Sequence, residues 1–118
     1  MPALDTALAS LAAHPGVEHV LVLGRDGLLI AHTGDAAGLD AETVSAMVPG
    51  LAGAATALGR AAGQGAAQTV AVRLDEGVAI VALLSAEVLL AVLLRGDAGF
   101  APLLRELSRR RGELAGLV

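Results

Sequence analysis

Cysteine is absent from the 118 residues. That excludes a disulfide frame, a thiolate zinc site and a cysteine nucleophile together. Lysine is absent as well, since all eight basic residues are arginine. No G-x-x-x-x-G-K-[ST] phosphate loop can therefore be written, however many glycines the chain holds. Phe100 is the single aromatic residue, so there is no stacking platform for single-stranded nucleic acid. Charged residues make up only 17%, and their balance is −4, the wrong sign for a phosphate-backbone partner. The N-terminus, MPALDTALAS, carries an acid and no basic n-region, so it does not read as a secretory signal.

What is present is aliphatic. Hydrophobic residues reach 55% and the mean hydropathy is +0.70, far from the composition of a disordered tail. A chain of this length builds one core. No repeat or linker divides it, and residues 1–118 are read as a single domain. The best membrane-span candidate is Val78–Leu94, VAIVALLSAEVLLAVLL. Its central Glu87 would cost ~2.5–3.5 kcal/mol in a spanning helix if priced as Asp is. Ser85-Ala86-Glu87 reads better as a turn between two strands. The expectation is a soluble cytoplasmic protein with no membrane insertion.

The organising stretch is Asp40–Gly63, DAETVSAMVPGLAGAATALGRAAG. Its large apolar residues Val44, Met47, Val48, Leu51 and Leu58 fall on helical spacing, with Ala55 and Ala62 completing the stripe. Pro49-Gly50 interrupts it and predicts a kink near 46–50, or a short helix followed by a longer one. Before it, Leu4, Leu8 and Leu11 mark a helix over Pro2–Ala13, stopped by His14-Pro15-Gly16. Val17–Leu23 and Leu28–His32 read as a hairpin around Gly24-Arg25-Asp26-Gly27. After it come strands Ala67–Leu74, Val78–Leu84 and Glu87–Leu94, then a closing helix beginning near Pro102. The fold class is α+β: three layers, α/β/α, around a five-stranded antiparallel sheet in the order α-β-β-α-β-β-β-α. Strands apolar on both faces need cover on both, so the terminal helices take one side and the middle helix the other.

Catalytic signals are weak. Ser10, Ser45, Ser85 and Ser108 lack a G-x-S-x-G context and a positioned base. Gly59–Gly65 resembles a phosphate loop but follows a helix instead of opening one, which makes it a helix stop. A turn centred between Arg25 and Asp26 would set His19 opposite His32, a pair able to hold a metal or sense pH; a bulge at Asp-Gly would break that pairing. Arg109-Arg110-Arg111 can pair with Glu106 and Glu113 on its own helix. No cofactor or metal is expected, and no enzyme. An arginine finger from Arg25, Arg60, Arg73 or Arg95 is the one catalytic device the composition leaves open, worth ~10³–10⁵ in rate where it operates.

Two features point to a second copy of the chain. Gly50, Gly53, Ala54, Ala57 and Ala61 form a small-residue stripe beside the large apolar one, and small side chains let helix backbones approach closely. The strand Ala67–Leu74 reads as a sheet edge with no proline or lysine to guard it. Pairing with a symmetry mate would satisfy its open backbone groups.

The element order, the hairpin VEHVLVLGRDGLLIAH, the alanine-rich middle helix and the pair VAIVALLSAEVLLAVLLR resemble the Roadblock family, which includes dynein light chains. The likeness is greatest to its bacterial, MglB-like members, partners of small Ras-like GTPases. The resemblance implies a profilin/Roadblock-like homodimer, paired through the middle helix and the strand after it, whose helices form a platform for the GTPase. It also implies that the regulator reshapes the GTPase without donating a catalytic arginine. Carried onto this chain, the interface positions are Val44, Met47, Val48, Leu51, Ala54, Ala55 and Leu58 on the helix, and Thr69, Ala71 and Arg73 on the strand. Pro49-Gly50 departs from the family pattern. The competing reading is a small-molecule sensor domain of related α/β/α architecture, which would need a polar-lined pocket.

Overall fold

The computed structural model describes residues 2–118. Helix α1 spans Pro2–Ala12, β1 Val17–Gly24, β2 Leu29–Gly34, α2 Ala41–Ala61, β3 Thr69–Arg73, β4 Gly77–Leu83, β5 Val88–Arg95 and α3 Ala101–Gly116. A 3-10 turn, Ala36–Gly38, separates β2 from α2. The strands form one antiparallel sheet in the order β2-β1-β5-β4-β3. This is the three-layer α+β arrangement expected.

The layers follow from strand alternation, since successive side chains point to opposite faces. Val20, Val22, Ile80, Leu90 and Val92 face one way, into a cluster with Leu8 and Leu11 of α1 and Leu103, Leu107 and Leu114 of α3. Leu21, Leu23, Val81, Leu83, Leu89 and Ala91 face the other way, against Val48 and Ala52 of α2. The central strands β4 and β5 are buried on both faces, as continuous aliphatic runs require.

The β1–β2 turn corrects the symmetric hairpin. Gly27 N–H donates to Gly24 O and Gly24 N–H to Leu28 O, both at 2.9 Å. Gly27 has φ +87°, a left-handed conformation that glycine adopts without strain. The loop thus holds three residues with a G1 bulge, one more than a two-residue turn. A second irregularity follows between Val22 and Leu23. Together they slide the register, so that His19 opposes Gly34 and His32 opposes Leu21.

Of the two outcomes expected at Pro49-Gly50, the split into two helices is corrected. A single helix runs from Ala41 to Ala61 with Pro49 inside it. The lost backbone bond is outweighed by anchors on both sides of the proline. Asp40 caps the first turn, accepting from Thr43 N–H at 3.2 Å and from the Thr43 hydroxyl at 2.6 Å. Those bonds hold the Asp40 carboxyl below its ordinary value. Buried Ser45 donates to Gly27 O at 2.7 Å, tying the helix to the hairpin turn. Val48 and Ala52 then seat it on the sheet. At its end, Gly63 N–H bonds Arg60 O and Gln64 N–H bonds Gly59 O. With Gly63 at φ +73°, this is a Schellman stop.

An ionic network fastens α3 to α1. His14 Nε2 lies 3.0 Å from Glu106 Oε1, and Arg110 reaches Glu106 Oε2 at 3.1 Å and Glu113 at 3.2 Å. Arg110 also donates to Ser10 Oγ. Burial opposes the charge of Glu106, but hydrogen bonds from His14 and Arg110, with their charges, hold its carboxyl below the ordinary glutamate range. A folded-state value below the unfolded one means that the unfolded chain takes up this proton more readily. The stabilisation is therefore complete above the ordinary glutamate value and disappears as pH falls through the lower, folded one. Glu106→Gln is expected to cost about 1 kcal/mol at neutral pH. The variant should also lose less stability than the wild type between pH 7 and pH 3, checked by urea midpoints at both.

Candidate partner-binding surface

Helix α2 presents three kinds of surface. Ser45, Val48 and Ala52 form its buried line. Val44, Met47, Leu51, Ala55 and Leu58 lie on a flank roughly 100° round the helix from that line, at 100° per residue. The Gly50, Gly53, Ala54, Ala57 and Ala61 stripe is exposed throughout. A methyl added at Gly50 or Gly53 would meet nothing within 4 Å, so these glycines are not needed for packing within the chain.

The flank is graded. Val44 and Leu51 are half-buried and pack on the same cluster as Val70 and Leu93 of the sheet, and Ala55 is half-buried too. Met47 and Leu58 are each 72% exposed, and Ala54 is exposed. Val48 is turned into the chain's own core, at 7% exposure. Beyond the end that α2 covers, the same sheet face opens into a cleft of about 530 Å³ between His19, Leu39, Leu74 and Leu93. Glu18, Asp35 and Glu76 also line it.

Strand β3 stands at the free edge beside this face, paired only with β4. Leu74 N–H donates to Gly77 O at 2.8 Å and Leu83 N–H to Gln68 O at 2.9 Å. Even-numbered residues thus bond inward, and antiparallel alternation turns the N–H and C=O of Thr69, Ala71 and Arg73 outward. Their side chains leave on the α1/α3 side, opposite Ala82, Ile80 and Val78. Arg73 lies over the Phe100 ring there, 5.9 Å from its centroid. On the α2 side the strand presents Val70, Val72 and Leu74, of which Leu74 is 53% exposed. These three alternate with Thr69, Ala71 and Arg73, and Leu74 lies beyond the Thr69–Arg73 span to which the resemblance points. Their period-two spacing in TVAVRL was the available signal.

The histidines do meet, diagonally instead of face to face. His19 Nδ1 and His32 Nε2 are 3.1 Å apart and the rings stack at 5.3 Å. One ring must donate and the other accept, so both cannot carry a proton on these nitrogens. Burial first, and then the charge of His19, lowers the value for His32. Gly34 makes room for the pair, since a Cβ there would collide with His19 Nδ1 and Glu18 O. Among the described residues, no group of three or more His, Asp or Glu side chains is placed to hold a metal ion. Nor is any described helix long and apolar enough to cross a membrane.

Residues 3–94 match a family model described as the Roadblock/LC7 domain. No curated protein matches the sequence. The fold is similar to that of Myxococcus xanthus MglB, with 14% identity over 98% of this chain and 94% of that one, at a TM-score of 0.85. A Roadblock/LC7 domain from Streptomyces avermitilis is 24% identical over 99% and 96% of the two chains, at 0.80. An MglB with a tetrameric arrangement is 19% identical over 98% and 87%, also at 0.85.

Proposed function

The chain belongs to the Roadblock/LC7 family, and we propose that it works as a non-enzymatic homodimer that binds a small Ras-like GTPase and modulates its nucleotide cycle. Domains of this family are in general non-catalytic regulators. The observation that carries the reading is the juxtaposition of an open β-edge with an apolar helix flank. Thr69, Ala71 and Arg73 offer a second strand its hydrogen bonds, while Val70, Val72, Leu74, Met47 and Leu58 leave apolar surface beside it. A second copy related by a two-fold axis satisfies both at once. The paired α2 helices then give the GTPase a platform made largely of glycine and alanine, against which a partner backbone can come close.

A sensor that encloses its ligand within the core is disfavoured by the interior. Its fully packed layers are aliphatic, and the buried polar residues among those described are His19 and Ser45. The test is single-turnover GTP hydrolysis by a Ras-like GTPase encoded beside this gene. The wild type is expected to change the rate, and Arg25→Ala, Arg60→Ala, Arg73→Ala and Arg95→Ala are each expected to change it equally. Loss of the effect in one arginine variant alone would mean that a catalytic arginine is supplied in trans. No effect and no binding would end the GTPase reading.

A further inference from the structure

Three arginines distant in sequence converge at the end of the sheet where the β1–β2 turn lies. Arg25 of that turn, Arg60 of the last turn of α2 and Arg111 of α3 line one cleft of about 350 Å³, together with Thr56 and Ser85. No carboxylate lines it. Among the described residues, none of these three guanidiniums has a carboxylate within ion-pair distance, whereas Arg95, Arg109 and Arg110 all do. Asp26 and Glu87 sit in a neighbouring cleft that Arg25 also lines, and Asp26 Oδ1 is already engaged by Leu28 N–H.

The guanidiniums are held in place without being used up. Arg111 Nε donates to Leu83 O at 2.7 Å and Arg25 donates to Ser85 O at 3.1 Å. Each keeps most of its five N–H donors free. The Arg60 guanidinium has no partner among the described residues. The two hydroxyls add to the same polarity. Thr56 Oγ1 accepts from Ala67 N–H, and Ser85 Oγ accepts from Glu87 N–H and Val88 N–H. Each hydroxyl therefore has its own proton left to donate. Every polar side chain lining the cleft is a donor without a side-chain acceptor. Forked guanidinium donors match the oxygens of a phosphate, and three of them suit a dianion better than a single carboxylate.

We infer that this cleft binds a phosphate group, gripped by Arg25, Arg60 and Arg111. Thr56 and Arg60 continue the buried line of α2 at four-residue spacing from Ala52, on the side of the helix opposite Met47 and Leu58, and Ala66 and Ala67, which lead into β3, complete the lining. The grip needs only Arg25, Arg60 and Arg111 of one chain, so it does not depend on the proposed dimer or its GTPase.

The experiment titrates the full chain with pyrophosphate at constant ionic strength while following the arginine Nε–Hε resonances by NMR. Saturable shifts are expected at Arg25, Arg60 and Arg111 and not at Arg105. Arg60→Gln should weaken binding roughly tenfold or more. Arg105→Gln removes the same charge outside the cleft and should leave binding unchanged. Arg25→Gln provides a second exposed variant. A parallel titration with capped phosphoserine separates the sources: tighter binding of pyrophosphate indicates a small phosphorylated molecule, and tighter binding of phosphoserine a phosphorylated side chain. Absence of saturation with both probes, or equal weakening by Arg60→Gln and Arg105→Gln, overturns the assignment.

Discussion

Met47→Asp is expected to convert the protein in solution from a species of twice 11.7 kDa to one of 11.7 kDa, with its fold intact. Met47 is 72% exposed in the single chain, so the substitution removes almost no packing there and should change monomer stability by no more than about 0.5 kcal/mol. In the proposed dimer the same position is covered. A carboxylate introduced there loses water without gaining a cation, and the two-fold axis brings in a second one. Leaving a charge buried and unpaired costs roughly 3–5 kcal/mol, which weakens association by about a hundredfold or more. Light scattering across a dilution series, with circular dichroism to confirm the fold, reads both halves of the expectation. Unchanged mass at all concentrations would remove the α2 flank from the interface. Loss of the GTPase effect should accompany dissociation, because the proposed platform is built from both α2 helices.

Most of the fold was legible because burial and strand alternation leave few choices. The aliphatic runs of β4 and β5 demanded cover on both faces, and the leucine spacings in α1 and α3 supplied one layer of it. The registers were less legible. One extra residue at Gly27, which Asp26-Gly27 allowed without requiring it, and a second irregularity beyond Val22, which has no compositional mark, move His32 from opposite His19 to opposite Leu21. The split helix expected at Pro49 fails for a related reason. Local propensity disfavours a helix there, but the Asp40 cap, the Ser45–Gly27 bond and the seat of Val48 and Ala52 all act through tertiary structure.

The surface was legible in part. The exposed Gly/Ala stripe and the open edge were both visible as patterns. Strand parity was not resolved: the side chains of Thr69, Ala71 and Arg73 point away from α2, and what they offer to the proposed second strand is their backbone. Val70, Val72 and Leu74 carry the apolar side of that edge. The convergence of Arg25, Arg60 and Arg111 had no sequence signal at all, because only the crossover of α2 and the return of α3 bring them to one cleft.

Pairing of β3 with its own copy is the centre of the proposed assembly, and the absence of cysteine makes it directly measurable. Ala71 is exposed at the middle of β3, with its N–H and C=O turned outward. If a two-fold axis passes beside it, the two copies of residue 71 face each other as a hydrogen-bonded antiparallel pair, with Cα atoms about 5.5 Å apart. That separation lies within the range a disulfide spans. Ala71→Cys would carry the only thiol in the chain, so mild oxidation and a non-reducing gel give an unambiguous product. The expected result is near-complete conversion to a reducible dimer within the dimer's working concentration, with Thr69→Cys and Arg73→Cys linking far less because each faces the other's position. Persistence of the 11.7 kDa band in all three variants, at concentrations where light scattering shows a dimer, would contradict the account and place the interface elsewhere on the chain.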